Sequence, residues 1–320
     1  MIYFDSKKYD LSFCDKLKEH IKEIETDCGI KILFGGAYSA HAFGYATSTS
    51  DIDFYFCFES QTADFTQKWR FFDDIFCDVN LISYDLCLQN TKKMMDEIPI
   101  YPSVLTKNTQ HESWSIHYDD FFSTTKFFEI LLSSCIYDTG FLAKNIDKIL
   151  SVIDIPILLD YYYTRAYGNL KDHLSKDYVE AKRVIRAFFG YSVLRAVIEN
   201  RVIPSADITE LIDKYADTDQ KIFLSDTLNQ MFDHKVAVTK AMHMPQGMSY
   251  DELSKLTKEE ARKIGRAESK QVLMIPRNDK FNSFLADGLT KTAEDIKEFV
   301  NLNKRDGLKL GASIFAEALK

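Results

Sequence analysis

The sequence contains no apolar run long enough to cross a lipid bilayer, which requires about 20 mostly apolar residues. Residues 1–7 also lack the layout of a signal peptide, in which positive charge precedes an apolar stretch. We therefore expect a cytoplasmic protein with no membrane partner. Internal repeats and low-complexity segments are absent as well, which excludes repeat architectures and compositionally biased, disordered chains.

Cysteine motifs of the kind found in redox and zinc sites are also missing. The six cysteines are scattered along the first half, form no Cys-x-x-Cys pair, and lie mostly within apolar patterns: Cys14, Cys28, Cys57, Cys77, Cys87 and Cys135. This distribution predicts reduced thiols in a protein core and argues against disulfides or a zinc site.

Positive charge is scarce in the first half of the chain. Residues 1–160 carry 14 Lys and Arg against 25 Asp and Glu, whereas residues 161–320 carry 26 against 23. A net acidic protein does not bind nucleic acid through its overall charge. A polyanionic substrate such as RNA would need a local basic face, which we expect in the second half.

The apolar and aromatic contents, 46% and 13%, indicate a folded protein with a sizeable core. A chain of 320 residues is long enough for two domains, or for one domain with a large helical extension. Apolar spacing predicts strands in the first third and helices after Pro102. We therefore predict an α+β fold, in which a small mixed β-sheet with flanking helices is followed by a mostly α-helical domain.

The individual elements follow from the spacing of the apolar residues. Strands are predicted at 30–34, 51–58 and 75–82, and helices at 12–27, 121–132, 155–174 and 179–200. The stretch 61–72 is predicted to be a loop or a short helix, and Ser83 or Asp85 could begin a helix that runs to about residue 96. The aromatic run Tyr161-Tyr162-Tyr163 is predicted to pack between helices rather than to stack on a base.

Two aspartates begin the second predicted strand. The apolar residues of this strand alternate and share one face: Ile52, Phe54, Phe56 and Phe58. Asp51 and Asp53 therefore share the other face, where they repel each other unless a cation lies between them. Asp78, inside the apolar run 75–82, would be costly to bury without a partner. Placed beside Asp51 and Asp53, it would complete a three-carboxylate cage for two divalent metal ions such as Mg²⁺.

These residues resemble a known enzyme superfamily. A strand, Gly-Gly, a short helix, Ser-Asp-x-Asp and a later Asp on a strand resemble the polymerase-beta-type nucleotidyltransferases. Residues 44–53 are similar to the Gly-x-Ala-x-x-x-Ser-Asp-x-Asp of the predicted RNA-repair branch of that superfamily. Residues 78–85 are similar to its later Asp-containing strand, and 179–204 to its basic helix. The resemblance implies a nucleotidyltransferase core at 1–105, a helical domain at 106–240 that closes over the nucleotide, and a C-terminal helical extension at 241–320.

The resemblance also implies an activity. A nucleoside monophosphate would pass from a nucleoside triphosphate to an acceptor hydroxyl, and pyrophosphate would leave. Two Mg²⁺ ions, or Mn²⁺, would be held by Asp51, Asp53 and Asp78, and Asp78 would take up the acceptor's proton or favour its loss. The implied acceptor is an RNA end, such as that of a tRNA. Two alternatives remain open: nucleotidylation of a protein hydroxyl, and a nucleotide-binding module without turnover.

Candidate nucleotide-binding residues surround the aspartates. Gly35 and Gly36 either make a tight strand-to-helix turn or let backbone N–H groups approach triphosphate oxygens. Counting back from Asp51, however, the family's Gly-Ser falls on Ser39-Ala40, so either the helix is longer here or the turn is rebuilt. Three further candidates are polar: Ser39 as a hydroxyl ligand of phosphate, His41 either facing the nucleotide or as an ordinary polar helix residue, and Ser50 either contacting phosphate or capping the loop. On the helix at 179–200, Lys182, Arg183 and Arg186 either bind phosphate or form an exposed basic face.

A second basic segment lies further along the chain. Residues 255–270 contain Lys255, Lys258, Arg262, Lys263, Arg266 and Lys270. This run is interpreted either as an exposed helix face or as a contact with nucleic acid.

Overall fold

The computed structural model describes residues 2–4, 11–47, 50–59, 66–72, 75–85, 88, 122–151, 153, 155–200, 203–234 and 272–303. A mixed β-sheet with flanking helices is followed by a mostly helical region, and the predicted α+β class is therefore confirmed. Within these residues no helix is both long and apolar enough to span a membrane. The described cysteines form no disulfide.

Among the described residues, the central sheet contains six strands. They are β1 (Ile2–Phe4), β2 (Ile32–Tyr38), β3 (Ile52–Phe58), β4 (Thr66–Phe72), β5 (Ile75–Ser83) and β6 (Cys135–Asp138). Their order across the sheet is β1-β6-β2-β3-β5-β4. Strands β3 and β5 run parallel, and every other neighbouring pair is antiparallel.

Three strands of the central sheet were not predicted as strands: β1, β4 and β6. The stretch 61–72, predicted as a loop or short helix, contains β4, which forms an antiparallel hairpin with β5; that prediction is wrong. Strands β1 and β6 were not predicted, because each is only three or four residues long and pairs with residues distant in sequence. The predicted domain boundary at residue 105 assigns β6 to the helical domain, whereas in the structure β6 lies in the sheet between β1 and β2.

One face of the sheet packs against helix α1 (Leu11–Cys28). The alternating residues of β3 lie on this face together with an apolar stripe of α1: Ile52, Phe54, Phe56 and Phe58 with Leu17, Ile21 and Ile24. The predicted face of β3 and the predicted helix at 12–27 are both confirmed. Because alternate residues point to opposite faces, Asp53 lies on the other side of the sheet.

That other side faces the helical region. Its helices are α2 (Ser39–Ala42), α3 (Phe122–Leu131), α4 (Phe141–Ser151), α5 (Ile155–Asn169), α6 (Ala181–Asn200), α7 (Ile208–Tyr215), α8 (Thr218–Asp233) and α9 (Asp279–Asn303). A π-helical turn, Leu170–Leu174, extends α5, so the predicted helix at 155–174 is confirmed. The predicted helix at 179–200 is preceded by strand β7 (Tyr178–Glu180), which pairs with β8 (Met274–Pro276).

A single large apolar cluster joins the sheet to the helices and includes residues from α3, α5, α6, α8 and α9. Helix α9 packs on α5 and α6, so the first part of the predicted C-terminal extension belongs to the same core. The basic run at 255–270, most of the helix predicted after Asp85, and residues 304–320 lie outside the described residues.

Gly35 and Gly36 lie inside β2 rather than in a turn after it. The strand was predicted to end at residue 34, but it continues to Tyr38, and both glycines pair with β3 on one side and β6 on the other. A Cβ atom on Gly35 would lie 2.2 Å from the Tyr55 carbonyl oxygen, and one on Gly36 would lie 2.9 Å from the Cys135 carbonyl oxygen. The prediction that these glycines form a phosphate-binding turn is therefore wrong; they permit close packing within the sheet.

Gly35→Ala should destabilise the protein by about 1–3 kcal/mol, because the added methyl group must displace the backbone of β3. Urea unfolding at equilibrium measures this change. Gly168→Ala in α5 is the matched control, since its Cβ atom would meet no atom within 4 Å and alanine favours a helix by up to about 1 kcal/mol. Equal stability of Gly35→Ala and the parent protein would contradict the close packing described here.

Candidate functional site

The chain turns from strand to helix at Ser39. This residue begins α2 directly after β2 and has a φ of +64°, in the left-handed region that few non-glycine residues adopt. The turn therefore lies at the position obtained by counting back from Asp51, four residues after Gly35. Of the two alternatives, a longer helix and a rebuilt turn, the structure shows the second: β2 extends to Tyr38, and the turn is built on serine instead of glycine.

The loop before β3 is held by hydrogen bonds of Ser50. The Thr47 N–H donates to the Ser50 hydroxyl (3.0 Å), and the Ser50 N–H donates to the Thr47 carbonyl (2.9 Å). His41 of α2 lies 3.3 Å from the Ser50 carbonyl through Nε2. Burial lowers the pKa of His41, with Asp51 and Lys182 opposing each other as smaller influences, so the imidazole is neutral at pH 7 and donates this bond. Ser50 thus joins Thr47 to the residues that begin β3, next to Asp51.

Asp53 and Asp78 are direct cross-strand neighbours on the parallel strands β3 and β5. Asp78 is 3% exposed, whereas Asp53 is half-buried, as is Asp51, which precedes the strand. Residues opposite each other on adjacent strands have side chains on the same face of the sheet. The described residues nevertheless contain no group of three or more His, Cys, Asp or Glu side chains arranged to hold a metal ion. The predicted three-carboxylate cage is therefore not present as a ready-made ligand set.

A cavity of about 290 Å³ lies on this side of the sheet, between β2, β3, α3, α5 and α6. Five Lys, Arg and Glu side chains line it, four of them cationic: Lys126, Glu129, Arg165, Arg183 and Arg186. The remaining lining is largely aromatic: Tyr38, Phe43, Tyr45, Tyr55, Tyr161, Tyr162 and Phe189, together with Ser39, Asn169 and Gly190. An excess of positive charge at an aromatic cavity favours an anionic ligand with a planar group.

A buried ionic network forms the floor of the cavity. Glu129 is 3% exposed and accepts from Tyr161 Oη (2.8 Å), Lys126 Nζ (3.0 Å) and an Arg165 guanidinium nitrogen (3.4 Å). Burial alone would raise the pKa of Glu129, but the positive charges of Lys126 and Arg165 outweigh it and lower that pKa. Glu129 is therefore ionised at pH 7, and α3 and α5 are joined through it.

Two stacked tyrosines connect this network to the aspartates. The rings of Tyr38 and Tyr55 lie 3.9 Å apart, and Lys126 Nζ lies 4.3 Å from the centre of the Tyr55 ring. Burial, and next the negative charge of Asp53, raise the pKa of Tyr38, so its hydroxyl stays protonated. Asp53 also acts on Lys126. Burial lowers the pKa of Lys126, and the negative charges of Glu129 and Asp53 oppose this effect without cancelling it. The electrostatics of the cavity and of the aspartate pair are therefore coupled.

Helix α6 supplies the basic side chains that the sequence indicated. Arg183 and Arg186 line the cavity, and Arg183 bonds Glu180 (3.3 Å). Burial raises the pKa of Tyr45, and the nearby positive charge of Arg186 acts in the opposite direction. Lys182 lies instead near His41, whose pKa it lowers. The structure thus brings Arg183, Arg186 and Ser39 to one cavity and groups Lys182 with His41 beside it.

No protein-family model matches this chain, and no curated protein matches it.

Three charged residues of the cavity were not identified from the sequence. Lys126 and Glu129 are three positions apart in an otherwise apolar stretch of α3, a spacing that places both on one side of the helix. A charged pair inside such a stretch is a recognisable signal of a buried ion pair. Arg165 carries no such signal, because it lies on the partly exposed side of α5 and joins Glu129 only through the tertiary fold.

The three consecutive tyrosines of α5, Tyr161 to Tyr163, differ in what they contact. Tyr162 packs edge-on against Phe128, as expected for a residue between helices. Tyr161 and Tyr162 also line the cavity, and the Tyr161 hydroxyl belongs to the Glu129 network. Tyr163 faces away from it and stacks on Tyr167.

Proposed function

We propose that this protein is a metal-dependent nucleotidyltransferase, which moves a nucleoside monophosphate from a nucleoside triphosphate to an acceptor hydroxyl. The observation that carries the proposal is the cross-strand pair Asp53–Asp78, coupled through Tyr38 to a cavity with excess positive charge. A phosphate chain needs cationic side chains, and a metal that neutralises it needs carboxylates, so the two kinds of group belong together at such a site.

The chemistry of the aspartates fits Mg²⁺, because carboxylate oxygens are the hard ligands that this ion prefers. Asp51, Asp53 and Asp78 would hold it, and bound Mg²⁺ would neutralise charge on the triphosphate. Their side chains do not form a three-ligand group in the described structure. Binding of the cation would have to draw Asp51, which is two residues from Asp53 in the sequence, towards the Asp53–Asp78 pair.

The protein's own cations would orient the nucleotide. Arg183 and Arg186 present guanidinium groups to the cavity from α6, and guanidinium groups bind phosphate oxygens through paired hydrogen bonds. Lys126 is held by Glu129 and lies over Tyr55, so its charge stays in one place. Side chains fixed in this way position a substrate without reorganising during the reaction.

The acceptor is an RNA end in this proposal. Incubation with each of the four α-labelled nucleoside triphosphates, Mg²⁺ and either total RNA or cell-extract protein should place label in RNA. The same mixtures with the Asp53→Asn variant serve as the control and should remain unlabelled. Label found in protein alone would contradict an RNA acceptor and would favour nucleotidylation of a protein hydroxyl.

A second candidate function is nucleotide binding without turnover. The lack of a ready-made three-ligand metal group among the described residues favours it, because the cavity could hold a nucleotide through its arginines alone. Under this alternative the protein binds nucleoside triphosphates but releases no pyrophosphate with any acceptor. Under the preferred function pyrophosphate release accompanies labelling.

A further inference from the structure

Two residues that line the cavity each contain a buried polar atom without a hydrogen-bond partner among the described residues: the Tyr162 hydroxyl and Oδ1 of Asn169. Tyr162 is 3% exposed. Leaving a buried polar atom unbonded costs about 1–3 kcal/mol, and few such atoms occur in folded proteins. Two of them at one cavity indicate that a ligand completes their hydrogen bonds.

The Tyr84 hydroxyl, which is also without a partner, provides a contrast. Its ring packs edge-on against Phe34 and Phe141 in the apolar core. An unbonded hydroxyl alone is therefore no sign of a ligand. The position of Tyr162 and Asn169 at a cavity distinguishes them from Tyr84.

The orientation of the Asn169 amide is set by its nitrogen. Nδ2 donates to the Arg165 carbonyl at 2.7 Å, so Oδ1 is left as a hydrogen-bond acceptor for the cavity. The Tyr162 hydroxyl can rotate and can either donate or accept. The two residues lie seven positions apart on α5, which places them on the same side of the helix about two turns from each other. They form a neutral, hydrogen-bonding wall.

The part of the lining that α6 contributes differs in charge from the part contributed by α5. Arg183 and Arg186 reach the cavity from α6, whereas Arg165, on α5 between the two neutral residues, is engaged by Glu129. A ligand that satisfies both sides carries an anionic part for α6 and a neutral, polar part for α5. A nucleotide has this composition, with phosphates at one end and a base and sugar at the other.

We infer that Tyr162 and Asn169 bind the base-and-sugar part of the nucleotide and set the preference among nucleoside triphosphates; this inference rests on the proposed function. Because the unbonded atom of Asn169 is a carbonyl oxygen, the nucleoside must present an N–H or O–H group to satisfy it. A site built around such bonds discriminates strongly against ligands that cannot make them, since its polar groups would then stay buried and unbonded.

Tyr162→Phe and Asn169→Ala test the inference through binding of ATP, CTP, GTP, UTP and inorganic tripolyphosphate, each measured by calorimetry with Mg²⁺. Each substitution should weaken the tightest-bound nucleoside triphosphate about 10-fold and reduce the differences among the four. Binding of tripolyphosphate, which has no nucleoside, should change less than about 2-fold. Tyr167→Phe, on the exposed side of α5, is the control and should change neither.

The thermal stability of the ligand-free protein distinguishes a ligand-binding role of the Tyr162 hydroxyl from a structural role. Tyr162→Phe removes a hydroxyl that has no partner, so Tm of the ligand-free protein should stay equal or rise by about 1–3 °C. A fall in Tm would overturn the inference, because the hydroxyl would then stabilise the fold. The inference would also be overturned if the substitutions weakened the binding of tripolyphosphate and of nucleotides equally, or if neither substitution altered nucleotide binding. In both cases the proposed function would still stand. A wild-type protein that binds no nucleotide would overturn both.

Discussion

Replacement of Asp53 by Asn should lower the rate of pyrophosphate release at least about 100-fold, the loss typical of removing one electrostatic group that acts at the reacting atoms. Asn keeps the size of the side chain and removes the negative charge that faces Asp78 across the strands. The charge is needed for the cation that neutralises the triphosphate. Release is measured with saturating nucleotide, Mg²⁺ and RNA.

Two outcomes would contradict this prediction. Unchanged release by Asp53→Asn would remove the aspartate pair from the reaction, and absence of release by the wild-type protein would favour nucleotide binding without turnover. Asp147→Asn, on the exposed side of α4, serves as the matched control, because it removes the same charge far from the cavity lining. Its rate should equal that of the wild type.

The second large effect concerns the buried network at Glu129. Glu129→Leu should lower the free energy of unfolding by about 3–5 kcal/mol, because it removes the carboxylate from a buried ammonium group. The ammonium belongs to Lys126, which is 8% exposed, and the substitution also removes the acceptor of the Tyr161 hydroxyl. Equilibrium unfolding in urea at pH 7 measures the loss.

A double variant shows whether charge or packing causes the loss. Lys126→Met combined with Glu129→Leu replaces the pair by apolar side chains of similar length, an exchange that is often neutral or stabilising. The double variant should therefore regain most of the stability lost in Glu129→Leu, whereas its nucleotide binding should be weaker than that of the wild type because the cavity has lost a cation. If the double variant is as unstable as the single one, the ion pair is not the cause.

The same pair predicts a pH dependence. The pKa of Glu129 is lowered in the folded protein from about 4.5 in the unfolded chain. A lowered pKa means that the ionised group stabilises the fold fully above pH about 4.5, and that this contribution is lost as pH falls through the folded pKa. The wild type should therefore lose stability below this pH more steeply than the double variant. If the stability of the wild type and that of the double variant fell equally with pH, the lowered pKa of Glu129 would not be the cause.

Much of the fold followed from local patterns. The alternation in β3 correctly identified the face that packs on α1, and helical spacing predicted α1, α3 and α5, because burying one side of an element requires its apolar residues to recur with the period of that element. Strands β1 and β6 could not be recognised, since strands of three or four residues carry too few positions for a pattern. The glycines of β2 were misread, because glycine is common in turns and only the neighbouring strands show why it is needed here.

The sequence by itself determined which chemical groups are available and in which local order: Asp51 and Asp53 at the start of a strand, Asp78 on a later one, and basic residues along one helix. Only the tertiary structure decided which of them meet. Strand pairing made Asp53 and Asp78 neighbours, and helix packing brought Glu129 to Arg165 and enclosed Tyr162 and Asn169 beside the arginines of α6. These contacts join residues far apart in the chain, and no local spacing encodes them because the packing of distant elements creates them.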